Sequence, residues 1–168
     1  DDTAALIEEL DLQKCCFVGN SMGGFIALRL AARRPDLIAS AVIMGSSADA
    51  EVSVEAMEAV VEVIEQNGVS PVVEDVLYFM LGDTTLNDPD RAATKQRVTK
   101  MLESRTPDYA HSVWNIAHRS PVTDELANIG VPVLVVAGDA DHTYPPDHSH
   151  RIVDGIAGAK YELMTQTG

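Results

Sequence analysis

The sequence predicts an α/β fold, an open and mostly parallel sheet flanked by helices, with a helical insertion. Three observations carry this. First, Ile38–Met44 and Val131–Ala137 are near-continuous apolar runs, the texture of parallel strands covered on both faces, and Cys15–Val18 is a short apolar strand. Second, these runs alternate with segments of helical periodicity, the pattern that builds βαβ units. Third, residues 48–127 show helical spacing and no convincing strand.

Each element follows in order. Residues 1–12 read as the end of a helix, with Leu6 and Leu10 on one face and Asp2, Glu8, Glu9 and Asp11 free to face water. Cys15–Val18 is the first strand. Ser21–Arg34 is a helix with an apolar majority; Arg33 and Arg34 suit its last turn and Pro35 stops it. Ile38–Met44 is the second strand. In the insertion, Val54, Met57, Val60, Val61 and Ile64 recur at helical spacing, and 91–105 and 107–118 read as further helices. Val131–Ala137 is the third strand. Pro145–Ile156 is a helix and Tyr161–Met164 a last short strand. The expected division is therefore 1–47 as the first part of the core, 48–127 as the insertion and 128–168 as the second part of the core. A four-stranded sheet of this kind has exposed edges.

Composition narrows the function classes. The 168 residues carry a formal net charge of −14, which repels phosphate backbones and anionic lipid, so neither nucleic acid nor membrane is an expected partner. No apolar run approaches the roughly 20 residues of a membrane span. Cys15 and Cys16 are neighbours on a strand, so their side chains point to opposite faces and no disulfide is expected between them. Reduced thiols suit a cytoplasmic location.

The chemistry concentrates in Gly19-Asn20-Ser21-Met22-Gly23, a G-x-S-x-G between strand and helix. Such a turn holds the serine backbone in a strained region and lifts its hydroxyl clear of the sheet. It is expected to leave no room for side chains two residues before and after, hence Gly19 and Gly23. Gly24 lets the helix approach the strand. The Met22 N–H, at the helix start, can face a developing oxyanion. A phosphate-binding loop is the competing reading, but GxGxxG and the P-loop lysine are both missing. A serine nucleophile needs a base held by an acid. Functional groups of open parallel sheets gather beyond the carboxyl ends of strands, where Gly138-Asp139-Ala140-Asp141-His142 follows the third strand. Asp141 or Asp139 can supply the acid, with Asp49 a distant third.

VGNSMGG at Val18–Gly24 and VPVLVVAGDADHTYPP at Val131–Pro146 resemble the α/β-hydrolase superfamily. The resemblance runs over essentially all 168 residues. It implies a partial α/β-hydrolase fold with Ser21 as nucleophile and the insertion as the cap that shapes the substrate pocket. The family's G-x-x-D pattern falls on Gly138 to Asp141 and favours Asp141 as the acid. No cofactor or metal is implied. The Ser-Met pair sets the chain apart from the haloalkane dehalogenases and epoxide hydrolases, whose nucleophile is an aspartate.

Two departures stand out. The family's strands before the elbow, with the loop giving a second oxyanion donor, have no counterpart. The family's base follows the last strand in a Gly-His pair, and none of the five histidines stands there. His142 adjoins the acid, His148 and His150 fall on an expected surface helix, and His111 and His118 fall in the cap. The chain therefore reads as a fragment of a hydrolase without its base. GNSMGG is similar to the meta-cleavage-product C–C hydrolases, and the cap to the 3-oxoadipate enol-lactonase group. Asn20 joins the candidate pocket residues. His111, Trp114 and His118 share a helix face, read first as a packing stripe and alternatively as a pocket wall. Arg119 is read as pairing with a surface acid, with a substrate carboxylate as the alternative. The expected partners are a small ester, a lactone or a ring-cleavage product. A non-catalytic binding protein on the same fold is the remaining class.

Overall fold

The computed structural model describes residues 2–12 and 14–168; Asp1, included in the first expected helix, lies outside them. The order is α1 (Asp2–Glu9), β1 (Cys15–Asn20), α2 (Met22–Arg33), β2 (Ile38–Met44), α3 (Val54–Asn67), α4 (Val73–Met80), α5 (Asp83–Asn87), α6 (Ala92–Glu103), α7 (Tyr109–Ala117), β3 (Val133–Gly138), α8 (Pro146–Gly155) and β4 (Lys160–Met164). Short 3₁₀ turns at Ser70–Val72, Pro89–Arg91 and Thr123–Asn128 complete it. Contacts divide the chain into a sheet unit (1–49, 121–139 and 144–165) and a helical unit (50–120, 140–143 and 166–168).

In the sheet unit the strands lie in the order β1-β2-β3-β4 and every pairing is parallel. The register sets Phe17 beside Ala41, Val42 beside Leu134 and Val135 beside Tyr161. The two central strands are the near-continuous apolar ones, as coverage on both faces requires. The core packs Ala27, Leu28 and Ala31 of α2, Ile43 of β2, Val135 of β3 and Ile152 of α8 together. Leu28, Ile43 and Ile152 are fully buried, each contributing roughly 1.5–3 kcal/mol. Among the described residues β1 and β4 are the outer strands, and Val18 is 60% accessible.

One expectation is corrected. Leu6 and Leu10 are exposed, and α1 buries Ala4 and Ile7 instead, against Leu30 and Ile38. Ala4 and Ile7 lie on the helix face that meets Leu30 of α2 and Ile38 of β2, and helical geometry turns Leu6 and Leu10 away from it. Cys15 is half-buried and Cys16 exposed, both as free thiols.

The helical unit holds α3 to α7, and among the described residues it has no strand. Its core joins Val61 and Ile64 of α3, Val73 and Leu77 of α4, Leu102 of α6 and Ala110 of α7. Among the described residues no helix is long and apolar enough to cross a membrane.

Candidate active site

Ser21 sits between β1 and α2 with φ 49° and ψ −114°. A non-glycine residue in that region costs about 1–3 kcal/mol and persists only where its surroundings hold it. The surroundings are visible. Ser21 N–H donates to the Met44 carbonyl at 2.9 Å. Its own carbonyl accepts from Gly24 N–H at 2.8 Å, Phe25 N–H at 3.3 Å and Ser46 Oγ at 3.0 Å. The backbone is thus tied to β2, to the helix start and to the loop after β2. The Ser21 side chain makes no capping bond to α2, so its hydroxyl is not consumed by the turn it sits on. As the first residue of α2, Met22 has an N–H with no intrahelical acceptor, and no acidic residue occupies the first turn to oppose a developing negative charge. Asn20 is exposed and its Nδ2 donates to the Met44 carbonyl at 3.4 Å.

The glycines differ in what they do. A Cβ on Gly19 would overlap the carbonyl of Gly23. A Cβ on Gly24 would stand 2.5 Å from Ser46 and 3.1 Å from Ile43 of β2, so Gly24 does allow helix and strand to approach. Gly23 is a correction: a Cβ there meets nothing within 4 Å, because the crowding falls on its backbone from the Gly19 side. Gly19→Ala is therefore expected to lose about 1–3 kcal/mol by overpacking. Gly23→Ala should be neutral or slightly stabilising, since alanine is the better helix former. Equal melting points for the two variants would contradict this account of the turn.

The loop after β2 holds residues that the sequence reading missed. Ser46 and Ser47 are 1% and 2% accessible. Ser46 braces the Ser21 carbonyl. Ser47 Oγ lies 2.9 Å from His148 Nδ1 and 3.2 Å from Asp49 Oδ2, and Arg151 Nε donates to the same Asp49 oxygen at 2.9 Å. His148 is thus half-buried in a polar cluster joining α8 to this loop, not on an open surface helix. Asp49, the third-choice acid, is part of that cluster. The only sequence signal was Gly45-Ser46-Ser47, three small residues straight after an apolar strand.

Asp139 and Asp141 follow β3. Asp139 is exposed and its N–H donates to the Met164 carbonyl at 3.1 Å. Asp141 is half-buried, belongs to the helical unit, and accepts the Thr143 N–H on Oδ1 at 2.9 Å. Ser21 belongs to the sheet unit.

The candidate pocket residues of the helical unit are spread out. His111, Trp114 and His118 are exposed and do not form a packing stripe; α7 packs through Ala110, Val113 and Ala117. Trp114 and His118 stack on each other at 3.8 Å, and His118 Nε2 lies 3.0 Å from Glu58. Arg119 is also corrected. It does pair with an acid, Glu51 at 3.0 Å, but the side chains are only 6% and 11% accessible, so neither a surface pair nor a substrate contact describes it. A groove of about 340 Å³ lined by Leu86, Asn87, Pro89, Ala92, Lys95 and Gln96 occupies this unit, and none of the predicted site residues lines it.

Burial pushes the Glu51 carboxyl up, but the bonds from Arg119 and from the Ser53 and Val52 N–H groups outweigh it, so the pKa lies below the ordinary value. A depressed carboxylate contributes stability that is present above its unfolded pKa of about 4.3 and lost as pH falls through the native value. Arg119→Ala should cost about 3 kcal/mol, the low end for a broken buried pair, because the backbone N–H groups still hold the carboxylate. It should also shrink the acid-induced loss below about pH 4.3. Melts of both proteins from pH 7 to 3 check this; an unchanged acid limb would contradict it.

The α/β-hydrolase-fold family profile matches residues 1–168. The chain is 28% identical over 171 residues to BpoC of Mycobacterium tuberculosis, named as a non-heme bromoperoxidase, covering 99% of this chain and 65% of that one. The crystal structure of BpoC matches with a TM-score of 0.84. The chain is 27% identical over 141 residues to 3-oxoadipate enol-lactonase 1 of Acinetobacter baylyi, covering 84% and 52%. It is 24% identical over 173 residues to 2-hydroxy-6-oxo-6-phenylhexa-2,4-dienoate hydrolase of Comamonas testosteroni, covering 97% and 59%. The chain spans between 52% and 65% of the length of these relatives.

Proposed function

Since the chain belongs to the α/β-hydrolase family, we propose that the whole protein is a serine hydrolase of small esters or lactones. The observation that carries this is Ser21, held at φ 49° with its hydroxyl left out of the helix cap. In the proposed mechanism Ser21 Oγ attacks the carbonyl carbon while a histidine takes its proton. The oxyanion that forms is met by the Met22 N–H at the start of α2. As the intermediate collapses, the histidine returns its proton to the leaving oxygen, which departs as an alcohol or enol and leaves an acyl-serine. The histidine, neutral again, is the base for the water that hydrolyses it. Asp141 orients that histidine and stabilises its charged form. Ser21 follows β1 and Asp141 follows β3, strands of one parallel sheet.

The base is assigned to a histidine of the whole protein outside these residues. The support is that four of the five present are engaged elsewhere: His118 with Glu58, His142 with Tyr78, His148 with Ser47 and His150 against the Tyr161 ring. His111 is exposed on α7. A cytoplasmic location is proposed on the free thiols and the acidic surface.

The second reading is C–C bond hydrolysis of a ring-cleavage product, favoured by GNSMGG and by the dienoate hydrolase among the relatives. Assay of the full gene product on p-nitrophenyl acetate, an enol-lactone and a dienone ring-cleavage product separates the readings. Turnover of ester and lactone is expected. Rapid turnover of the dienone alone moves the assignment to the C–C hydrolases. Inactivity on all three, with no serine-probe labelling, favours the binding protein.

A further inference from the structure

The loop that carries Asp141 is fastened to the end of α4. The His142 ring stacks on Tyr78, with centroids 4.2 Å apart and planes 10° from parallel. His142 Nδ1 lies 2.8 Å from the Tyr78 carbonyl; a carbonyl only accepts, so this nitrogen donates. Thr143 Oγ1 donates to the Phe79 carbonyl at 2.7 Å. The other ring nitrogen, Nε2, lies 3.3 Å from Asp83 Oδ1. Tyr78 and Phe79 stand in the last turn of α4, where carbonyls lack intrahelical partners. The two residues directly after Asp141 cap them. Thr143 in turn gives its N–H to the Asp141 carboxylate at 2.9 Å.

Capping a helix does not require a histidine and a threonine from a loop 64 positions away in sequence. We infer that α4 is a positioning element for Asp141. It acts through His142 and Thr143, fixing the direction of the carboxylate, with Tyr78 as the stacking surface. The inference rests on the reading of Asp141 as the acid. A displacement of about 1 Å can cost up to 10²-fold in rate, so a loop held at two adjacent residues is a means of keeping the acid aligned.

The test measures the rate constant of fluorophosphonate labelling in the full gene product, which needs no knowledge of the substrate. His142→Ala and Tyr78→Ala are each expected to lower it about tenfold, within that positional range. Tyr78→Phe, which keeps ring and carbonyl, should match the unmodified protein. In an Asp141→Asn background His142→Ala should cost nothing further, because the cycle removes an effect carried through Asp141. Thermal melts confirm that the compared variants are folded. An unchanged rate in both folded alanine variants, or the same tenfold loss with and without Asp141, overturns the positioning role. Undiminished labelling of Asp141→Asn overturns the acid assignment and this inference with it, as does absence of labelling in the unmodified protein.

Discussion

Ser21→Ala in the full gene product is expected to lower kcat by roughly 10⁴–10⁶, on the scale of serine removal from a unit that acts together. The fold should be little changed. Alanine at φ 49° carries much the same backbone strain as serine, and the bonds that hold the turn use the Ser21 backbone, not its hydroxyl. The melting point therefore stays near that of the unmodified protein while activity disappears. This separation matters, because a glycine-rich turn with an incidental serine would show the opposite: an unaltered rate. Kinetics on the best ester or lactone substrate, beside a thermal melt, decide between them.

The second large effect is Asp141→Asn, expected to lower kcat by about 10²–10⁴. Asparagine keeps the shape and the Oδ1 acceptor, so the Thr143 N–H bond and the loop survive. What is removed is the negative charge that orients the base and stabilises it once protonated. Asp139→Asn is the matched control. Asp139 is exposed and lies two residues before the assigned acid, so that variant should retain most activity. If Asp139→Asn is the crippling change, the acid has been placed two residues too far along.

Much of this was legible in the sequence, for identifiable reasons. β2 spans Ile38–Met44 as expected because a buried parallel strand writes itself as a continuous apolar run. The elbow was legible because its tightest constraint is local: the room denied to a Cβ on Gly19 is taken by Gly23, four residues on, with Ser21 between them. Long-range pairing was not legible. Glu51 and Arg119 are 68 positions apart, and His142 and Tyr78 are 64 apart; periodicity within a helix carries no record of such partners. Ser46 and Ser47 gave no signal of burial, because hydroxyls are usually exposed; they are buried beside Gly24 of α2 and His148 of α8. For α1, Leu6 and Leu10 share a face by spacing, but spacing does not say which face meets a neighbour; Ala4 and Ile7 are the pair that pack on Leu30 and Ile38.

Reaction of the full gene product with a fluorophosphonate, followed by tryptic digestion and tandem mass spectrometry, tests the display of a nucleophile most directly. Cleavage after Lys14 and Arg29 isolates the peptide Cys15–Arg29, in which Ser21 is the sole serine. One adduct per protein, on Ser21, is the predicted result. A stoichiometric adduct on any other residue, or none under conditions that label known serine hydrolases, would contradict it.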